Sequence, residues 1–154
     1  PERNNVKNYL TSEVIDLKYE KNKLRLNLTS DIKWDVSLQN ASSIHAFNYS
    51  YGINGQYLFP LKLEIASDIK MYSYRGYNNT AMNTNNLIWN ISVSRPFFNG
   101  RFVSRIEAFD LLHQLSQTVS VVNGQGRTEI WQRSLPNYIM FHLAYKLNVN
   151  PHKR

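Results

Sequence analysis

The chain has 154 residues, a formal net charge of +7 and no cysteine, which excludes structural disulfides and thiolate metal centres. Aromatic residues reach 13%, with ten Tyr, seven Phe and three Trp against six Gly and five Pro, a composition suited to strands. No apolar run approaches the roughly 18 residues of a transmembrane helix; the mean hydropathy of −0.47 still permits membrane strands, whose two faces average out.

The positive charge suggests an anionic surface or nucleic acid as partner, but the basic residues are scattered. Only His152, Lys153 and Arg154 form a short basic cluster. Residues 1–10 are polar and rich in Asn and read as loop. Ile15, Leu17 and Tyr19 then alternate with Asp16 and Lys18, predicting a first strand from Thr11 to Glu20. Lys21-Asn22-Lys23 is a tight turn.

From Leu24 to Leu38 the alternation is nearly strict. Leu24, Leu26, Leu28, Ser30, Ile32, Trp34, Val36 and Leu38 fall on one face, and Arg25, Asn27, Thr29, Asp31, Lys33, Asp35 and Ser37 on the other. Such a strand extends roughly 50 Å. After a loop at 40–43, a third run of similar reach puts His45, Phe47, Tyr49, Tyr51, Ile53, Tyr57 and Phe59 on one side. A quick turn at Phe59-Pro60 leads to a fourth strand with Leu61, Leu63, Ile65, Ile69 and Met71 opposite Lys62, Glu64, Asp68 and Lys70.

A long polar loop, Arg75 to Asn86, precedes a fifth strand carrying Leu87, Trp89, Ile91 and Val93. Pro96 to Gly100 is another short turn, with Asn99-Gly100 supplying the positive φ of a hairpin. The sixth strand runs from Arg101 to about Leu111. Residues 112–135 are less regular: Ser116 to Val122 is placed to extend the sheet, 123–126 is a loop tip, and Thr128 to Arg133 returns as strand. The last strand, Tyr138 to Leu147, has Ile139, Phe141, Leu143, Tyr145 and Leu147 on one face. A polar tail follows at 148–154.

The expected fold is therefore all-β, an antiparallel up-and-down meander of about seven long strands. Short connections alternate with generally longer ones (40–43, 75–86, 112–135), and Tyr19, Tyr57, Phe59, Phe97, Phe98, Phe102 and Tyr145 gather at the short-turn end. Loop asymmetry and an aromatic girdle are features of outer-membrane barrels. This leads to the expectation that the sheet is part of a transmembrane β-barrel.

The stretches Asn90-Ile91-Ser92-Val93-Ser94-Arg95, Phe97-Phe98-Asn99-Gly100-Arg101, Phe109-Asp110-Leu111-Leu112-His113-Gln114, Gln125-Gly126-Arg127-Thr128-Glu129, Pro136-Asn137-Tyr138 and Leu143-Ala144-Tyr145-Lys146-Leu147-Asn148 carry a likeness in their order and spacing. Together with Met71-Tyr72-Ser73-Tyr74-Arg75-Gly76-Tyr77, they resemble the carboxy-terminal barrel strands of TonB-dependent outer-membrane receptors. The resemblance implies a barrel of about 22 strands occluded by a plug, located in the bacterial outer membrane. It also implies uptake of a nutrient ligand driven through TonB. On that view residues 1–154 are the C-terminal segment of such a barrel. Its partners are outer-membrane lipid, the amino-terminal barrel strands and plug of the same parent chain, and the TonB system through that missing part. The chain runs past Tyr145 into a basic tail, whereas the family's last strand commonly stops at a terminal aromatic.

The loop residues Tyr74, Arg75, Tyr77, Asn78 and Asn79 are the candidate ligand site, since aromatic faces and planar amides on a rigid scaffold suit a glycan or a peptide. Asp110, His113 and Gln114 form the strongest catalytic cluster on paper, but a hydrogen-bonded loop base explains them better than a base and its orienter. His45, His113, His142 and His152 lack metal spacing. No cofactor, no metal, no nucleic-acid partner and no enzymatic activity are expected. Two alternatives stay open: a soluble β-sandwich carbohydrate-binding module, with Leu26, Trp34 and Val36 buried against a second sheet, and a complete eight-stranded outer-membrane barrel that draws an extra strand from 112–135.

Overall fold

The computed structural model describes residues 7–39, 42–78, 80–115, 118–123, 126–131, 135 and 137–147. Alternation and turn chemistry set its elements: β1 (Lys7–Lys21), β2 (Leu24–Gln39), β3 (Ser42–Leu58), β4 (Glu64–Arg75), β5 (Asn85–Phe97), β6 (Phe102–Phe109), β7 (Thr118–Asn123), β8 (Gly126–Trp131) and β9 (Tyr138–Tyr145). Seven of them form one antiparallel sheet in the order β1-β2-β3-β4-β5-β6-β9, while β7 and β8 pair only with each other. The sheet is an open meander with β1 and β9 at its edges.

Register keeps the alternation in phase from strand to strand. One row across the sheet reads Leu17, Leu28, Ile53, Ile69 and Trp89, and the next reads Tyr19, Leu26, Gly55, Ser67, Ile91, Ala108 and Ile139. Because paired residues share a face, the apolar side of every strand falls on the same surface. Two of the short turns rely on left-handed backbone: Asn22 at φ 53°, and Phe98, Asn99 and Gly100 at φ 50°, 56° and 83°. The third, between β3 and β4, places Leu61 and Lys62 there as well.

The structure corrects four expectations. Lys7 to Leu10, assigned to a loop, belong to β1 because they pair with Leu38 to Asp35; residues 1–6 and the tail 148–154 lie outside the described residues. Ser42 and Ser43, assigned to a connection, pair with Gln39 and Leu38, so the turn after β2 is short. Of the stretch Ser116 to Val122, the described part from Thr118 does not extend the main sheet, since β7 finds its partner in β8. Without that extension, the extra strand of an eight-stranded sheet is not supplied. Finally, β6 stops at Phe109 because Asp110 turns out of the strand at φ 47°.

There is little core. Among the described residues only Ala46 and Met82 are buried hydrophobics, and no second layer covers Leu26, Trp34 or Val36; Trp34 is 52% exposed. The sandwich expectation required those three to be buried.

Candidate functional site

The apolar face presents rows of exposed or half-exposed Leu, Ile, Val, Phe, Tyr and Trp across all seven strands, the kind of continuous apolar surface that marks a membrane or protein contact. Ser30, a small residue in the bulky row of β2, sits in register between Ile15 and Tyr51. The result is an open hollow of about 490 Å³ lined by Ile15, Leu17, Leu28, Ile53, Ile69 and Met71 among others. Its oily lining fits a hydrocarbon chain and offers a polar ligand almost nothing. The indole N–H of Trp89 is satisfied on the same face, donating to Ser67 Oγ at 3.0 Å. Charged residues on this face are Lys7, Lys21, Arg75 and Arg95 near strand ends and Glu13 beside Ile32.

Aromatic side chains border the face. At the short-turn end stand Tyr19 in β1, Tyr57 in β3, Phe97 in β5, Phe102 in β6 and Tyr145 in β9. Tyr57 and Phe59 meet edge to face at 4.6 Å, and Phe97 lies 6.0 Å from Phe102. Phe97, Phe102 and Tyr145 share one register row, but Tyr57 and Tyr19 do not lie on it. Ile139 is on the row of Tyr19, so the aromatic line advances six residues from Tyr19 to Tyr145, all of it between β1 and β5, an average of about one residue per strand. With a rise of about 3.3 Å per residue and strands about 4.8 Å apart, the line crosses the strands at about 35° from their perpendicular. A second group, Tyr9, Trp34, Phe47 and Tyr49, borders the opposite end over β1 to β3 and advances in the same sense.

The other face is polar and held by side-chain pairs. Lys18 pairs with Asp16 at 3.3 Å, Lys33 with Asp31 at 3.6 Å, and Arg25 with Glu20 at 2.9 Å. Glu107 receives Arg105 at 2.5 Å and His142 at 2.8 Å. Tyr72 carries the Lys70 ammonium 5.1 Å above its ring.

The proposed ligand loop is only partly free. Arg75 spends its guanidinium on the carbonyls of Tyr74 (2.7 Å) and Thr84 (3.1 Å) and on Asn85 Oδ1 (2.6 Å). Tyr77 exchanges two bonds with Asn83, its N–H donating to Oδ1 at 3.1 Å and its carbonyl accepting from Nδ2 at 3.0 Å. Its hydroxyl lies 3.0 Å from Asn48 Oδ1, to which it donates. Gly76, at φ 79°, makes this fold-back possible, since a Cβ there would lie 1.9 Å from the His45 carbonyl oxygen. Asn48 is also the register partner of Tyr74, so Tyr74 and Tyr77 converge on the polar face near Tyr72, while Arg75 shares the face of Phe47. Asn78 is exposed, and Asn79 lies outside the described residues. The structure therefore separates Arg75 from the tyrosines and adds Asn48 and Tyr72 to them. Alternation carries the signal for Arg75 and Tyr72, whereas Asn48 joins only through the pairing of β3 with β4.

Asp110 is buried, its two carboxylate oxygens each accepting a backbone N–H at 2.9 Å, from Gln114 and Leu115. Its own N–H donates to Asn90 Oδ1 at 2.9 Å. His113 Nδ1 lies 3.2 Å from Asn137 Oδ1, away from the Asp110 carboxylate's partners. This is the hydrogen-bonded loop base. The loop also serves β5 where β6 has ended: Leu111 N donates to the Trp89 carbonyl, and Gln114 Oε1 accepts from Leu87 N, both at 2.9 Å. Among the described residues no group of His, Asp and Glu is placed to hold a metal ion.

No known protein family, no curated protein and no solved structure matches this chain.

Proposed function

We propose that the chain forms part of the wall of an outer-membrane β-barrel of the TonB-dependent receptor type, a non-catalytic element in the uptake of a nutrient ligand. The observation that carries this reading is the oblique aromatic border. Barrel strands in outer membranes tilt by about 35–45°, so a girdle lying flat at the lipid surface crosses them obliquely. An average advance of about one residue per strand over the sheet corresponds to that tilt.

The height between the borders agrees. About ten residues separate Tyr57 from Phe47 along β3, roughly 33 Å of strand, which spans roughly 27 Å at that tilt against an apolar band of about 25 Å. The oily hollow and the satisfied Trp89 suit hydrocarbon, and the opposite face supplies the polar lining of a lumen. Within it, Tyr72, Tyr74 and Tyr77 with Asn48 are the surface for a glycan or peptide ligand. The rest of the receptor, including plug and TonB contact, belongs to other parts of the assembly.

The test is an arginine placed on either face in reconstituted vesicles. Leu28→Arg lowers folding stability by about 2–4 kcal/mol if the row faces mid-bilayer lipid, while Thr29→Arg on the lumen face changes it little. Equal tolerance of both, or recovery of the chain as a stable monomer from water without detergent, overturns the proposal.

A further inference from the structure

The short-turn end has a charge pattern that the wall itself does not need. Lys21, Lys23, Lys62, Arg101 and Lys146 stand at or just beyond the aromatic border, and none is ion-paired among the described residues. Arg101 and Lys146 are brought together by a backbone bond, Lys146 N to the Arg101 carbonyl at 2.8 Å, one position beyond Phe102 and Tyr145 and so on the polar face. Just inside the border lies Arg95, on the apolar face in register with Ser104. Its guanidinium sits 5.0 Å over the Phe97 ring, its Nε is buried with no acceptor, and no carboxylate pairs with it among the described residues.

A guanidinium in such a place lacks its counter-ion. Arg favours acceptors that take two parallel N–H bonds, as carboxylate and phosphate do, and a long side chain among oily neighbours directs its head toward the polar boundary. An acceptor that reaches Arg95 must itself lie at the edge of the hydrocarbon, beside Phe97, Phe102 and Ser104. A soluble acidic protein meets the outer cations but not this position.

We propose that the β5–β6 edge of the short-turn end is a binding site for the headgroup phosphate of an anionic phospholipid in the adjoining leaflet, with Arg95 as its ligand. This rests on the membrane reading above, and the two fail differently.

The experiment inserts the intact chain into vesicles of phosphatidylcholine alone and of phosphatidylcholine mixed with phosphatidylglycerol. Spin-labelled lipids then report which headgroup is held at the protein surface. The wild-type chain retains phosphatidylglycerol over phosphatidylcholine, and Arg95→Gln lowers that preference by about fivefold, the effect of one basic side chain at a lipid surface. Arg95→Lys keeps the charge without the fork and recovers part of the preference. Arg95→Lys also covers the case in which Arg95→Gln does not fold, and the double variant Arg101→Gln/Lys146→Gln, on the opposite face, leaves the preference unchanged. Insertion with a preference unchanged by the Arg95 substitutions, or lowered as much by the opposite-face double variant, overturns the lipid site and leaves the wall intact. Failure to insert into either vesicle overturns both.

Discussion

The two ends of the sheet are built on different principles. At the short-turn end, β1–β2, β3–β4 and β5–β6 are closed by left-handed residues within a few positions, and the strand ends advance in steps, one hairpin at a time. At the opposite end the strands stop raggedly: β3 runs past the end of β4, and β5 past the end of β6. Side chains make up the difference there. Arg75 and Asn83 bind the β4–β5 loop, and Asp110 and Gln114 hold the next loop against β5. Backbone geometry alone shapes the first end, whereas the second depends on particular side-chain bonds, so substitutions should discriminate between them.

The largest effect is expected at Gly76. Gly76→Ala places a Cβ against the His45 carbonyl in a left-handed backbone, and the β4–β5 loop should lose about 1–3 kcal/mol of local stability. Hydrogen exchange at Tyr77 and Asn83 reads this, and unchanged protection would mean that the fold-back is not held there. Asp110→Ala should come next, at about 1–2 kcal/mol, because two amides lose a charged acceptor. The amides of Gln114 and Leu115 should exchange faster while those of β2 and β3 do not. Asp110→Asn, which keeps one carbonyl oxygen, should fall between. The smallest effect belongs to the short-turn end. Arg25→Ala removes an ion pair whose members are both about two-thirds exposed, and denaturant titration should show less than about 1 kcal/mol. A loss at Arg25 as large as that at Gly76 would erase the distinction between the ends.

The same contrast explains what could be read from the residues. Strand parity survives in Leu24 to Leu38 and in Tyr138 to Tyr145 because a side chain's face depends only on its position along the strand. Asn99-Gly100 and Asn22 announce their turns through the backbone region they tolerate. Strand ends were less legible, since Tyr9 and Leu10 become strand only through pairing with Val36 and Asp35. The loop site was the least legible. Asn48 lies 29 positions from Tyr77, and no local pattern links them. The separation of Arg75 from Tyr74 is a matter of parity, visible once both are assigned to β4.

One margin of the sheet has a consequence for how the wall comes into being. β1 spans 15 residues, all of them exposed, and its outward peptide groups have no neighbour in the sheet. In water such a seam is solvated, but in hydrocarbon each orphaned amide costs several kcal/mol. Entry into oil must therefore wait until another ribbon, a second copy of the chain where it stands alone, has zipped along that seam, which makes lateral closure the step that commits the protein to the bilayer.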